Sequence, residues 1–380
     1  MKKLVSLFMA LGVAAALTAC SGSQPAASGQ ADSKTAQTEG KAGQADSKDT
    51  KAGGNGKQEN GKDAQVDGNG SQTEAKSADQ LKVALCLTGP INDGAWNTSA
   101  YDGLMEAQKK YGFEAAYVEN LAVTDQEAAL TDYAEQGFDI VIGHSFQFTD
   151  PAMTVGAKYP DTKFVVIEGN ATGDNVASYC LKSQENYYLL GVLGASLSES
   201  GKIGIVGTVE GQAIIKLIEG YRMGAKTVNP DIQIQYAYIG SFTDVQKAYE
   251  ASMAMIDDGV DVISNCANQG GTGVIKAGVE RDIMLFGTSV DQFDLAPDNM
   301  VSGSMTDVTG LVSLAIDEVV SGNFKPGVHS LGWADGMFSL APYHNFEDKI
   351  PQETKDKVEE LKKQMIDGTL DVPMITTIQE

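Results

Sequence analysis

The sequence predicts an α/β protein with two lobes, each built on a parallel sheet that helices cover on both faces. Two observations favour this fold class. From Leu81 onward, short apolar runs alternate with longer amphipathic stretches, and the same alternation restarts near residue 201. Strands that alternate with helices of this length form parallel sheets, because each crossover places a helix on a face of the sheet. The second start predicts the second lobe.

The first twenty residues predict a lipoprotein signal peptide. Lys2 and Lys3 precede an apolar run that is too short to span a bilayer by itself, and small residues lead into Cys20. This end resembles a bacterial lipobox, which implies that Cys20 carries a lipid and becomes the first mature residue. We therefore expect a palmitate-type anchor that holds the protein on the extracytoplasmic face of the cell membrane. The alternative is an ordinary signal peptide with an incidental cysteine.

Residues 21–80 have the composition of a disordered tether. They are mostly Gly, Ser, Ala, Gln, Asn, Asp and Lys, and they include no aromatic residue. A segment with so little apolar surface cannot offset the entropy that ordering would cost. We expect this tether to lift the folded part away from the membrane.

Charge and cysteine usage exclude several classes of function. The first 80 residues hold nine Lys and nine acidic residues, so the net charge of −23 falls on the remainder of the chain. Such an acidic surface disfavours nucleic acid as a partner. Cys86, Cys180 and Cys266 form no C-x-x-C pair, and the three histidines lack metal-ligand spacing. We expect no metal and no cofactor, and the cysteine pattern leaves a disulfide open.

Each element of the first lobe is predicted from its own pattern. Apolar runs bounded by turn residues predict the strands LKVALCL, FEAAYV, FDIVIG, TKFVVIEG and NVASYCL. Apolar residues at three- and four-residue spacing, with polar caps or Gly stops, predict the helices AWNTSAYDGLMEAQKKYG, TDQEAALTDYAEQG and FTDPAMTVGAKYP, and one more over residues 186–197.

The same criteria give the second run of elements. The predicted strands are GKIGIVG, IQIQYAYIG, VDVISNC, IMLFGTS, MVSGSMT and VHSLGWADGMFSLAP, the last as one strand. The predicted helices are GQAIIKLIEGYRMGAKTVNP, TDVQKAYEASMAMIDDG, GGTGVIKAGVERD and TGLVSLAIDEVVSG, with a last amphipathic helix over residues 352–367.

Ligands of open parallel sheets bind beyond the carboxyl ends of the strands, which selects the candidate site residues. An aromatic residue in each half can offer a flat face to a planar ring, and polar groups at the strand ends can bind its edge. The opposing interpretation is that these aromatic residues pack in the core and that Asp93 only caps a helix. The candidates from these positions are Asp93, Trp96, Asn97, Ser145, Phe146, Phe242, Asn268, Ser289 and Asp291.

Motifs for catalysis are weak. His144 and Ser145 near Asp150 have the residue types of a hydrolase triad, but no G-x-S-x-G elbow accompanies them. The run QGGTG opens a helix, but it has neither the Walker spacing nor its Lys. We therefore expect a protein that is not an enzyme, with a hydrolase as the remaining alternative.

From GPINDGAWNTSAYDG the chain resembles the basic membrane protein family of lipoproteins, which includes purine nucleoside receptors of ABC transporters. FTDPAMTVGAKYPDTKFVVIEG, QENYYLLGVLGA, YRMGAKTVNPDIQIQYAYIGSFTDVQKAYE, and GGTGVIKAG followed by VDQ agree with it. The resemblance implies a type I periplasmic-binding-protein fold, with two doubly wound lobes joined at a hinge. We expect a binding domain over residues 81–345, followed by a C-terminal helix and tail over 346–380. Lobe 1 would hold about 81–200 plus 300–322, and lobe 2 about 201–299 plus 326–345.

The resemblance also implies roles for particular residues. The family's first aromatic and the Asn after it fall on Trp96 and Asn97, its second stacking aromatic on Phe242, and an acidic residue on or near Asp150. The ribose end departs from the family pattern, because Ser289 stands where an Asp is usual and Thr306 where a Lys is common. Two ligand classes stay open: a purine nucleoside, or a free nucleobase or similar heterocycle without ribose. Asp291 is an alternative source of the missing carboxylate.

The expected function follows from the family. We expect a monomeric substrate-binding lipoprotein of an ABC importer, which captures a small molecule between its lobes and delivers it to the permease. The alternative is a sensory or surface lipoprotein that binds the ligand but has no role in transport.

Overall fold

Residues 76–379 are the part of the chain that this computed structural model describes. The predicted signal peptide, the predicted lipidation at Cys20 and the predicted tether up to residue 75 lie outside the described residues. The end of the predicted tether forms a short 3-10 turn, Ala78–Gln80, which leads directly into the first strand.

Short apolar runs form the strands, and the central strands are buried along all or nearly all of their length. Within residues 76–379 the strands are β1 (Lys82–Leu87), β2 (Glu114–Val118), β3 (Ile140–His144), β4 (Lys163–Ile167), β5 (Val176–Leu181), β6 (Lys202–Gly207), β7 (Gln233–Tyr238), β8 (Val262–Cys266), β9 (Met284–Ser289), β10 (Met300–Thr306), β11 (Gly327–Leu331) and β12 (Phe338–Leu340).

Amphipathic stretches form the helices between these strands. Over the same described residues they are α1 (Trp96–Tyr111), α2 (Gln126–Glu135), α3 (Thr149–Gly156), α4 (Ser183–Leu197), α5 (Gln212–Val228), α6 (Val245–Asp257), α7 (Gly271–Arg281), α8 (Val308–Val320) and α9 (Gln352–Ile366). None of the described helices is both long enough and apolar enough to cross a lipid bilayer.

Two sheets of six strands each organise the described residues. The first has the order β11-β5-β4-β3-β1-β2, and all of its strands are parallel. The second has the order β12-β10-β9-β8-β6-β7 and is parallel except for β12, which pairs antiparallel with β10. Because the strand order of each sheet reverses at its first strand, both sheets are doubly wound. The predicted α/β class with two parallel-dominated sheets is confirmed.

The chain passes between the two sheets three times. It leaves the first sheet after β5, returns after β10, and leaves again after β11. We define lobe 1 as β1–β5 and β11 with α1–α3 and α8, and lobe 2 as β6–β10 and β12 with α4–α7 and α9. The hinge consists of residues 181–183, 306–308 and 331–333, where the three passages lie.

This arrangement corrects the expected composition of the lobes. Residues 300–306 were expected in lobe 1, but β10 pairs with β9 in lobe 2, because a short 3-10 turn returns the chain directly beside β9. Residues 326–345 were expected in lobe 2, but β11 pairs with β5 in lobe 1. The single predicted strand VHSLGWADGMFSLAP is divided into β11 and β12. The 3-10 turn Trp333–Asp335 separates them, and Gly336, which has a left-handed backbone conformation, ends this turn.

The first helix after the hinge also belongs to the second lobe. The sequence placed α4 in lobe 1, but its Tyr187 hydroxyl donates a hydrogen bond to the Asn265 carbonyl of β8, 2.9 Å away. Helices α4 and α5 pack backbone against backbone: a Cβ added at Gly224 would lie within 2 Å of the Tyr188 carbonyl oxygen. Glycine is required at this crossing because no side chain fits between the two helices.

Candidate functional site

A cavity of about 140 Å³ lies at the carboxyl ends of the strands of both sheets, between lobe 1 and lobe 2. Six of the ten predicted ligand-binding residues line it, three from each lobe. They are Trp96, Ser145 and Phe146 from lobe 1, and Phe242, Asn268 and Ser289 from lobe 2. Parallel strands bring these residues together because the loops after all of the strands meet at one edge of each sheet.

The aromatic part of the cavity wall comes from both lobes. Trp96 is the first residue of α1, Phe146 follows β3, and Phe242 follows β7. Phe146 reaches across the gap: a Cβ added at Gly211, just before α5, would lie 3.8 Å from its Cζ. The wall therefore carries aromatic rings from both lobes, and such rings can stack on a planar heterocycle.

His144 supports the indole of Trp96 from behind. The two rings stack with centroids 4.5 Å apart and an interplanar angle of 25°. The Nε2 of His144 donates to the Trp96 carbonyl oxygen at 3.2 Å, and its Nδ1 is buried with no partner in the part of the chain that the structure describes. Burial lowers the pKa of His144 to about 4, so the imidazole is neutral at pH 7. It can thus act as an uncharged aromatic layer beneath Trp96.

Asp93 fixes the start of the helix that carries Trp96. Its carboxylate accepts hydrogen bonds from the backbone amides of Ala95, Asn97 and Thr98 at 2.9–3.0 Å. Partial burial alone would raise the pKa of Asp93, but these donors together with the Asn97 amide group hold it below its usual value. Asp93 therefore caps α1 and does not line the cavity. This placement agrees with the interpretation of Asp93 as a helix cap and not with its interpretation as a ligand-binding residue.

Three further candidates also lie outside the cavity wall. Asn97 is buried against Gly89, and its Nδ2 donates to Asp93. Asp150 is exposed near the start of α3. Asp291 accepts from the Phe293 amide and pairs with His344 at 2.8 Å, so it does not replace the carboxylate missing at Ser289. In each case local capping or solvent exposure keeps the side chain away from the cavity.

The wall is also rich in hydroxyl groups. Thr288 and Ser289 end β9, while Ser304 and Thr306 end β10. Thr306 was singled out for a missing Lys, and it does line the cavity with a neutral hydroxyl. Such groups can both donate and accept hydrogen bonds, which suits the polar edge of a neutral ligand.

Two residues of lobe 2 that line the cavity each carry a buried polar atom without a partner among the described residues. They are the Oγ1 of Thr208 and the Oδ1 of Asn268, which accept no hydrogen bond from residues 76–379. Buried polar atoms without partners are costly, so a ligand that supplies the missing hydrogen bonds gains affinity from them.

Strained backbone also gathers at the cavity. Glu168, Asn268 and Ser289 have positive φ angles of 60°, 49° and 66°, and all three line the wall. Non-glycine residues in this region cost about 1–3 kcal/mol each and cluster at ligand sites. The strand ends are therefore shaped for function at the expense of local stability.

One buried ion pair in the cavity wall was not predicted from the sequence. Lys216 of α5 and Glu168 after β4 lie 2.5 Å apart, and both line the cavity. Glu168 falls within the predicted strand TKFVVIEG, and that pattern carries no sign of an ion pair. Lys216 had a detectable signal, because it falls between Ile215 and Ile218 on the buried face of its helix. A lysine on an apolar helix face is almost never buried unless it is paired.

The residues once considered for hydrolysis do not form a relay. His144 bonds to the Trp96 carbonyl, the Ser145 hydroxyl accepts from the Gln147 amide, and Asp150 is exposed. Cys86, Cys180 and Cys266 form no disulfide with one another. Burial raises the pKa of Cys266, which lines the cavity, to about 12. Among the described residues no group of three or more His, Cys, Asp or Glu side chains is placed to hold a metal ion.

Most of the described chain is similar in sequence to known proteins. A family described as ABC transporter substrate-binding protein PnrA-like matches residues 80–375. A purine-binding protein of Brucella abortus is 29% identical over 286 residues, which cover 74% of this chain and 81% of the relative. Basic membrane protein A of Borreliella burgdorferi is 31% identical over 233 residues, which cover 60% of this chain and 68% of the relative.

Solved structures agree with the fold. A solute-binding protein of an ABC transporter system from Aeropyrum pernix has a TM-score of 0.73 and 22% identity, and the match covers 78% of this chain and 94% of that one. A second, from Conexibacter woesei, has a TM-score of 0.62 and 26% identity, with 77% and 98% covered. The predicted type I periplasmic-binding-protein fold is therefore confirmed.

Proposed function

The chain belongs to the family of PnrA-like substrate-binding proteins of ABC transporters, and from this premise we propose that it captures a purine nucleoside or a related planar heterocycle between its lobes. One observation carries the proposal: Trp96 of lobe 1 and Phe242 of lobe 2 line the same cavity. A purine ring offers two flat faces, and an aromatic side chain from each lobe can stack on one of them. A relative that bears the name purine-binding protein supports this ligand class.

Binding proceeds by closure of the lobes. The three passages of the hinge allow lobe 2 to move relative to lobe 1, and the ligand contacts residues of both. A ligand that binds the closed form more tightly than the open form shifts the equilibrium toward closure. The orphaned oxygens of Thr208 and Asn268 then gain partners on the ligand. Capture of this kind needs no covalent step.

A free nucleobase is the second candidate ligand. The residues at the hydroxyl-rich wall, Ser289 and Thr306 among them, are neutral where the family pattern has an Asp and a Lys. A sugar hydroxyl therefore meets weaker partners than in a site with charged groups, since hydrogen bonds to charged groups are about twice as strong. Thermal-shift measurements with nucleosides and with free bases distinguish the two ligand classes.

The cellular setting is also part of the proposal. The N-terminal sequence with Cys20 supports a lipid anchor on the extracytoplasmic face of the cell membrane. From there a monomer would hand its ligand to an ABC permease. The net charge of −23 supports a role that involves no nucleic acid. A sensory role without transport predicts instead that the neighbouring genes encode no ABC ATPase or permease.

A thermal-shift panel tests the ligand directly. The purified protein is heated with purine and pyrimidine nucleosides, with free bases, and with amino acids and sugars as unrelated controls. A ligand present at 100 times its Kd stabilises the folded state by about 2.7 kcal/mol, which raises the Tm by several degrees. We expect purine nucleosides or purine bases to give the largest shift. The proposal fails if only sugars or amino acids raise the Tm, or if no compound of the panel raises it.

A further inference from the structure

A buried ion pair crosses the ligand cavity from one lobe to the other. Glu168 follows β4 of lobe 1, and Lys216 lies on α5 of lobe 2. Their carboxylate and ammonium groups are 2.5 Å apart, and the two side chains are only 10% and 5% exposed. Both residues line the same cavity as Trp96 and Phe242.

The backbone of a single residue holds both partners in place. The Oε1 of Glu168 accepts from the Leu181 amide at 2.8 Å, and the Nζ of Lys216 donates to the Leu181 carbonyl at 2.7 Å. Leu181 ends β5, where the chain first enters the hinge. Glu168 also adopts a positive φ of 60°, which orients its side chain at the strand end. The pair is thus built into the hinge side of the cavity.

This pair carries the only formal charges among the described residues that line the cavity; the other lining residues are apolar, hydroxyl or amide side chains and one thiol. A buried cation and a buried anion in contact cancel each other. The wall therefore has polar hydrogen-bonding capacity but no uncompensated charge. An anionic ligand would lose its hydration on entry and would find the ammonium already neutralised by Glu168.

Some hydrogen-bonding capacity of the pair remains unused. A lysine ammonium has three N–H donors, and Glu168 and Leu181 account for two of those of Lys216. The carboxylate of Glu168 has lone pairs beyond the two bonds that it accepts. An uncharged ligand with hydroxyl or carbonyl groups can bond to these without breaking the pair.

We propose that the Glu168–Lys216 pair sets the charge class of the ligand: the cavity takes uncharged heterocycles, and Glu168 excludes anionic derivatives, phosphorylated ones included, by neutralising Lys216. The inference rests on the proposed function, because it takes this cavity to be the ligand site. It deepens that function by naming a specificity-determining pair and the property on which it acts.

Matched probes of equal shape test the inference. Binding is measured by calorimetry for adenosine, adenosine 5′-carboxamide and adenosine 5′-carboxylate, and for purine-6-carboxamide and purine-6-carboxylate. Within each amide and acid pair the two ligands differ in charge and hardly in size. We expect the wild-type protein to bind the amide of the tighter pair at least tenfold more tightly than the acid.

Glu168→Gln should counteract this preference for the amide. The amide side chain keeps the shape of Glu168 but leaves the ammonium of Lys216 uncompensated, so the ratio of acid to amide affinity should rise at least tenfold. Lys216→Met added to Glu168→Gln removes the cation again and should restore the preference for the amide. The control is Glu219→Gln, which makes the same charge change at a buried residue of α5 that does not line the cavity; its ratio should equal that of the wild type.

Three results would overturn the inference while leaving the proposed function intact. They are a wild-type protein that binds acid and amide equally, a Glu168→Gln variant with an unchanged ratio, and a Glu219→Gln variant that shifts as much as Glu168→Gln. If Glu168→Gln does not fold, Lys216→Met gives the second test. This variant leaves the carboxylate of Glu168 unpaired, so the affinity for the acid relative to the amide should fall below that of the wild type. A rise in this relative affinity contradicts the inference. If none of the neutral probes binds the wild type, the proposed function itself fails, and the inference fails with it.

Discussion

The indole of Trp96 lies stacked on the imidazole of His144, with ring centroids 4.5 Å apart. Only the indole lines the cavity, while His144 is fully buried behind it and donates to the Trp96 carbonyl. The position of the aromatic platform therefore depends on a titratable group that does not itself line the cavity.

This dependence predicts a loss of stability in acid. The pKa of His144 is about 4 in the folded protein and near 6.5 for an exposed histidine. Between these values the unfolded chain binds a proton that the folded chain does not, so protonation favours unfolding. We expect His144 to lower the free energy of unfolding by about 3 kcal/mol as the pH falls from 7 to below 4.

Urea unfolding of the wild type and of His144→Phe between pH 8 and pH 4 measures this contribution. The phenyl ring keeps the stacking but cannot be protonated. The difference in the free energy of unfolding between the two proteins should therefore be constant above pH 7. Below pH 7 the wild type should lose more stability than the variant. An equal pH dependence in both proteins contradicts the assignment to His144.

Removal of either opposing aromatic ring should weaken ligand binding. Stacking of a base on an aromatic side chain contributes about 1–3 kcal/mol, so Trp96→Ala and Phe242→Ala should each raise the Kd of the ligand about 5- to 150-fold. Trp96→Phe should lose less affinity because a ring remains. The control Tyr117→Ala removes an exposed ring on β2 and should leave the Kd unchanged. Wild-type affinity in both Trp96→Ala and Phe242→Ala would show that the ligand does not stack between these rings.

Loss of the Asp93 cap should affect both stability and binding. Asp93→Ala leaves the first amides of α1 without their acceptor, which should cost about 1–2 kcal/mol of stability. Because Trp96 begins this helix, ligand affinity should also fall. The contribution of Asp93 should be present above pH 4 and should disappear as the pH falls through its lowered pKa.

The control for the cap is Asp102→Ala, an exposed position on the same helix. Its stability and affinity should match the wild type in denaturant titration and calorimetry. If Asp93→Ala binds ligand as tightly as the wild type, the cap does not position Trp96.

Substitution at the crossing of α4 and α5 should destabilise lobe 2. In Gly224→Ala the added methyl group would collide with the Tyr188 carbonyl, so the two helices must separate. We expect a loss of about 3 kcal/mol or more in the free energy of unfolding, measured with urea. Lys226→Ala, exposed on the same helix, should be nearly neutral. A Gly224→Ala variant as stable as Lys226→Ala would mean that the helices pack less closely than the structure has them.

Local pattern was sufficient to locate most elements and part of the site. Trp96, Phe146 and Phe242 were identified because each directly follows a predicted strand or begins a helix, and parallel sheets bring such positions to one edge. Asp93, Asn97, Asp150 and Asp291 were also predicted, but they do not line the cavity. A polar residue after a strand can cap the next helix or turn as readily as it can face a ligand, and its type does not distinguish the two.

The sequence alone determined the fold class, the two lobes and the aromatic character of the cavity, because periodicity and strand-end position are local properties of the chain. Only the tertiary structure decided which sheet β10 and β11 join, how His144 supports Trp96, and that Lys216 meets Glu168 across the lobes. These three depend on contacts between residues far apart in the chain. Such contacts are selected by packing and by the cost of burying an unpaired charge, and neither is visible until the lobes are assembled.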